Sequence, residues 1–340
     1  EAYELANIIA TLSPFGLASS FNTDANVDYL QHVQDHFSEY ADHPLFSAIG
    51  YEEKREWVVE DFFFWLGFRE NAYLYRFNGD ELIKDSPYER IRPAIGVENR
   101  FGAHLELIED FARASYFRDF YDAHQDYYSM QAQTYQEWVP VPQMKSWLDQ
   151  EFDVDAINSL RIVFSPLTGG TNSTYSGVSR DHRFHEALMF VPGPHQSDPE
   201  GDDAVKTSLA RALFTEIDHN YVNPVANRHE QALFFNIGDL AYWNSQGDGS
   251  PYYTAVDTFE EYMTFAAFTL WADQYYDDST FETARAGTIR VMNNRGFTQY
   301  EAFETEFLQL YRSCRPGEKA ADLFDDIVSW MGRQSGEALP

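Results

Sequence analysis

The chain has 340 residues, with 55 Asp plus Glu against 24 Lys plus Arg, and a formal charge of -31 at pH 7. That balance argues against nucleic acid as a partner, because the densest basic run, Tyr311-Arg312-Ser313-Cys314-Arg315, is too sparse to follow a phosphate backbone. Hydrophobic residues at 44% and aromatics at 17% exclude wholesale disorder, while the most apolar window, Trp57 to Phe68 with Glu60 and Asp61 inside it, is too short and too charged for a membrane span.

From Glu1 to about Asp153 the texture is helical. Apolar residues recur at three- and four-residue spacings over Tyr3 to Leu12, Asn26 to Tyr40, Lys54 to Asn71, Ala103 to Ala123 and Gln143 to Phe152. A stretch of different character follows. Ser159 to Ser165 and Phe184 to Val191 read as strands, bounded by Gly169-Gly170 and by Pro192-Gly193-Pro194. Helical patterns resume over Asp203 to Val222, Arg228 to Tyr242, Thr258 to Gln274 and Ala320 to Arg333. The expected class is therefore α+β and predominantly helical, with a helical region over 1–153 and a small central sheet in the region 154–340. The softest boundary, Val139-Pro140-Val141-Pro142, does not read as a flexible linker, so one compact unit and two are both open.

Cys314 is the single cysteine, so no disulfide framework reports the redox compartment. The chain starts at Glu1 with no leader-like segment before it, and this predicts a secreted or periplasmic protein whose signal peptide has been removed. The acidity reads as a solvated anionic surface.

The chemically informative run is Leu213 to Pro224. On a helix, Val205, Leu209, Ala212 and Leu213 define an apolar arc; Glu216 falls inside it, His219 falls at its edge, and Arg211 and Asp218 point away. A carboxylate on a buried face is costly unless a cation or donor meets it, and an imidazole one turn later supplies half of a metal site. The plainer alternative is that Glu216 and His219 only hydrogen-bond each other or a nearby loop.

Thr215-Glu216-Ile217-Asp218-His219 resembles a degenerate H-E-x-x-H helix of the zinc metallopeptidases, with Thr215 where the first His belongs. Together with Tyr3-Glu4-Leu5-Ala6-Asn7-Ile8-Ile9, Asp42-His43-Pro44 and the His219, Asn223, Pro224 run, the chain resembles an uncharacterised family of secreted bacterial proteins, a domain of unknown function with a zincin-like core. The resemblance implies a gluzincin-type, zinc-dependent peptidase-like hydrolase acting on a peptide or protein substrate. Glu216 then serves as catalytic base, and His219 and Glu261, with Glu216 itself as a further candidate, serve as metal ligands. Glu261 is preferred over Glu260 because it shares a face with Phe265 and Phe268. The competing reading makes Thr258 and Glu261 a capping box at the helix start.

With Thr215 in a ligand position, zinc is short of a donor. Glu216 can ligate, or a His from His182, His185, His195 or His229 can fill the gap, or the metal is lost and the scaffold binds without cutting. The strand from Phe184 occupies the place where zincins present a substrate-pairing strand, although core packing is the simpler account. Tyr252 or Tyr253 is the candidate oxyanion donor. A third reading, carbohydrate processing by paired carboxylates with aromatic platforms, names no residues.

Overall fold

The computed structural model describes residues 1–13, 23–24, 28–50, 59–92, 96–178, 183–194, 202–246, 252 and 254–337. Among them the chain is predominantly helical with two small sheets. Two compact units are present: Glu1–Tyr135 with Arg161–Gly177 and Leu188–Ser197, and Gln136–Leu160 with Val178–Ala187 and Asp198–Pro340.

Unit one contains α1 (Ala2–Leu12), α2 (Asp28–Phe37), α3 (Pro44–Ile49), α4 (Val59–Ala72), the strands β1 (Tyr75–Asn78) and β2 (Glu81–Lys84), α5 (Leu105–Ala114), α6 (Phe117–Ala123) and most of α7 (Gln125–Trp138). Every residue of α1 from Ala2 to Thr11 is buried, so this helix is the spine of the unit. Leu5, Ile8 and Ile9 pack with Val33, Phe37, Leu45, Phe68, Phe111 and Phe117 in one apolar core. The single helix expected over Ala103 to Ala123 is two, because Tyr116 takes a left-handed φ of 53° and ends the run after Ala114. The β1–β2 hairpin was not anticipated, although its turn carries a signal: Gly79, at φ 65°, takes the first central position between the paired Asn78 and Glu81.

The second sheet has the order β3–β5–β4, where β3 is Ser159–Ser165, β4 is Ser173–Val178 and β5 is His185–Pro192. Six consecutive residues of β5 are buried, as the central strand of a covered sheet requires. This corrects the expectation of a substrate-pairing strand. Both edges of β5 already hold neighbours, so its backbone is not free to pair with an extended peptide.

Unit two is helical and is organised on α9 (Asp203–Arg228). Short helices α10 (Glu230–Asn236) and α11 (Leu240–Trp243) follow, then α12 (Ala255–Tyr275), α13 (Asp278–Asn294), α14 (Tyr300–Arg312) and α15 (Phe324–Glu337); α8 (Val141–Glu151) also belongs here. α9 packs against α8, α12 and α13. The pattern predicts its end at Val222, yet the helix continues through Pro224. Proline inside a helix costs about 3 kcal/mol, and burial of Val222, Val225 and Ala226 on the continuing turns offsets it. Periodicity also overlooked α7, α13 and α14.

Candidate functional site

Helices α9 and α12 carry the candidate residues to a common interface in unit two. α12 begins a turn earlier than the capping-box reading required. Thr254 is its N-cap: its hydroxyl accepts from the Asp257 N–H at 3.0 Å and donates to Asp257 Oδ2 at 2.6 Å. Thr258 therefore lies within the helix and donates to the Tyr252 carbonyl at 3.2 Å. The capping-box assignment of Glu261 is corrected, and its buried carboxylate needs another explanation.

That explanation is His219 and Arg295. Glu261 Oε1 lies 3.5 Å from His219 Nε2, and Glu261 Oε2 accepts from Arg295 Nη2 at 2.7 Å. The His219 ring is fixed from its other side, where Nδ1 meets Asn223 Oδ1 at 3.1 Å. This contact fixes the ring so that Nε2 is turned to Glu261, where an N–H donates to the carboxylate in any form that carries a proton on Nε2. Arg295 follows the last turn of α13. It also donates to the Tyr252 hydroxyl and lies 5.1–5.2 Å from the ring centroids of Phe265, Tyr252 and Phe297. Burial alone lowers the guanidinium's affinity for its proton, but the Glu261 charge and Tyr252 outweigh it and hold Arg295 above its ordinary value. Burial and the Glu261 charge together push Tyr252 up, against the opposing charge of Arg295.

Glu216 is buried on α9, as its place on the apolar arc predicts. Its charge raises the pKa of both Tyr252 and Asp218, as does that of Glu261, so the two carboxylates share one neighbourhood. Asp218 differs from expectation. Instead of pointing outward it is fully buried, and neither carboxyl oxygen has a hydrogen-bond partner among the described residues. Desolvation first, then the charges of Glu216 and Glu261, raise its pKa well above the ordinary value. The outward reading failed because α9 has neighbours on more than one side. Arg211, also expected to point out, approaches Gly287 of α13, and burial lowers it to about 10. Glu260, passed over in favour of Glu261, is half-buried at the rim; desolvation raises it to about 7, against the opposing effect of His219. Asn227 reaches it at 3.4 Å.

The remaining imidazoles lie elsewhere. His229 faces Asp325 at 3.3 Å and the Val225 carbonyl at 2.9 Å. His185 lines a separate cavity of about 470 Å³ with Asp153, Asp155, Asn220 and Arg228. His182, His195 and Tyr253 fall outside the described residues.

A catalytic zinc needs three protein donors at about 2.0–2.2 Å for N and O ligands. Glu261 already has a permanent cation on one oxygen, and the Thr215 hydroxyl donates to the Ala212 carbonyl of its own helix at 3.3 Å. Among the described residues no three His, Cys, Asp or Glu side chains are grouped to hold a metal ion. The residues present thus fit a guanidinium-neutralised carboxylate better than a zinc donor set. Sequence reasoning missed Arg295, and the available signal was indirect: a buried Glu on an apolar helix demands a cation, in a chain with only 24 Lys and Arg. Comparison with known proteins gives no family model, curated protein or solved structure that matches the chain.

Proposed function

We propose that this chain is a metal-independent binding protein on a zincin-like scaffold, and that the α9–α12 cluster receives a peptide or protein segment without cutting it. The observation that carries the reading is the 2.7 Å contact of Arg295 Nη2 with Glu261 Oε2. At the place where the resemblance puts zinc, the carboxylate is neutralised by a side chain that cannot lose its proton under ordinary conditions. The Thr215 hydroxyl, directed to Ala212, supports the same reading. The polar groups at the edge of the cluster are the half-buried carboxyl of Glu260 and the exposed amide of Asn227, which suit the amides and cationic side chains of a polypeptide.

A second reading, a secreted zinc-dependent peptidase-like hydrolase, has one observation in its favour. His219 is held at Nδ1 by Asn223 with Nε2 turned inward, the orientation that outer-shell partners impose on a ligating histidine.

The two readings part on metal content and turnover. Protein purified without chelator is expected to contain well under one equivalent of zinc by elemental analysis, and to leave denatured casein intact. About one equivalent of zinc, with casein hydrolysis lost in Glu216→Gln, overturns the binding reading in favour of the peptidase. Turnover of oligosaccharides overturns both.

A further inference from the structure

Unit one contains a second buried polar cluster, remote in sequence from α9 and independent of the reading above. Glu4 on α1 is 5% exposed, and its Oε1 has no hydrogen-bond partner among the described residues. Gln131 on α7 is 1% exposed, and its Oε1 is likewise without a partner, although its amide nitrogen donates to the Tyr127 hydroxyl at 2.9 Å. Both side chains lie beside Ser165. The Ser165 hydroxyl bonds to the Glu4 side chain. At Gly193, which donates to the Ser165 carbonyl at 3.2 Å, a Cβ would meet Gln131 Oε1 at 3.2 Å and that same carbonyl at 3.3 Å.

Beside these two side chains stands a group of tyrosines. Tyr29 on α2 stacks on Tyr127 at 5.3 Å, meets Tyr128 edge-on at 5.9 Å, and shares a 2.6 Å hydroxyl contact with Tyr128. Tyr121 stacks on Tyr128 at 4.8 Å. Tyr121, Tyr127 and Tyr128 are half-buried, so the group reaches the surface of the unit.

Two buried oxygens that lack donors cost free energy in every state that leaves them so. What they need is a ligand rich in N–H donors. An anion finds no donor at these oxygens. A metal ion needs several hard ligands, and no three His, Cys, Asp or Glu side chains are grouped for one among the described residues. A primary ammonium offers three donors, no acceptor and a positive charge. One carboxyl oxygen, one carboxamide oxygen and the tyrosine group match that set, and aromatic faces attract its charge.

The geometry points to a binding site for a primary ammonium cation, held by Glu4 Oε1 and Gln131 Oε1 beside the Tyr29–Tyr127–Tyr128 group. The ammonium belongs to a small alkylamine or to a lysine side chain. The titratable groups facing Glu4 are Tyr29, Tyr121, Tyr127, Tyr128 and the amino group of Glu1, which itself lies 3.4 Å from the Tyr121 hydroxyl. Desolvation raises Glu4 to about 7 against the hydrogen bonds of Ser165 and Tyr29. Glu4 without a cation beside it is therefore protonated at mildly acidic pH, and binding of a cation expels that proton.

The test is calorimetric titration of the whole chain at pH 8 with n-butylammonium chloride and, separately, with Nα-acetyl-lysine methylamide, using sodium chloride at matched ionic strength as control. Saturable binding of either amine supports the site, and the relative affinities tell a free amine from a lysine side chain. Glu4→Gln, which keeps the shape, and Gln131→Met are each expected to weaken binding at least tenfold. Wild-type affinity is expected to fall about tenfold per pH unit below pH 7, which tests the site even if a variant fails to fold. Absence of saturable binding, equal affinity in wild type and Glu4→Gln, or a flat pH profile overturns the proposal and leaves the two oxygens to buried water.

Discussion

Asp218 is fully buried with neither oxygen hydrogen-bonded among the described residues, so its charged form meets a low-dielectric surround with Glu216 and Glu261 nearby. Holding the proton is the cheaper state, and the folded chain binds it more tightly than the unfolded one. The stability this contributes is complete below about pH 4 and is lost as pH climbs through the raised folded-state value. Asp218→Asn has no proton to hold. Its thermal midpoint is expected to lie above that of wild type at pH 8 and to converge on it near pH 4; parallel profiles in a pH series of melts contradict this account. Part of this chemistry was legible in the sequence. The inward turn of Glu216 followed from one apolar arc, whereas the burial of Asp218 and Arg211 did not, since an arc names one buried face and α9 has neighbours on several.

At the scale of elements, the start of α12 decides which role Glu261 can take. Because Thr254 caps the helix, Glu261 stands in the second turn, too far along to satisfy the first N–H groups and placed instead against His219 and Arg295. Thr254→Ala removes the acceptor of the Asp257 N–H and is expected to cost about 1 kcal/mol of stability, read as a lower denaturant midpoint at unchanged slope. The strands over Ser159 to Ser165 and from Phe184 were legible because breakers bound continuous apolar runs. β4, Ser-Thr-Tyr-Ser-Gly-Val, has neither an apolar run nor strict alternation, and nothing local announces it. α13 and α14 escaped for another reason: their apolar positions are spaced among many charged residues, so the stripe facing α9 and α12 emerges only once those partners are known. Arg295 was lost with them.

For the molecule as a whole, the excess of acid sets the response to pH and salt. Glu4 and Glu260 are raised from 4.5 to about 7, so both add stability at low pH that declines between these values as pH rises. Asp110, Asp153 and Asp277 are lowered from 3.8, chiefly by hydrogen bonds from Arg113, from Lys319 and from the Thr280 backbone respectively, and their contribution is lost in stronger acid. Stability is thus expected to peak near pH 4 to 4.5, where the raised carboxyls still hold their protons and the lowered ones have lost theirs. With a net charge of -31, raising salt from 0.01 to 0.15 M shortens the screening length from about 30 to 8 Å. The melting temperature at pH 8 is expected to rise with it, and by less at pH 5.5; an equal rise at both values contradicts the charge argument.

The position of β5 reaches beyond this one chain. Its most apolar ribbon is sealed on both sides, so only β3 and β4 remain as templates for edgewise growth of the sheet. The β4 ribbon is mostly polar, with a glycine near its end, a poor seed for stacking copies into fibres. A peptide copied from β5 therefore finds neither edge of that strand open to it in the folded protein.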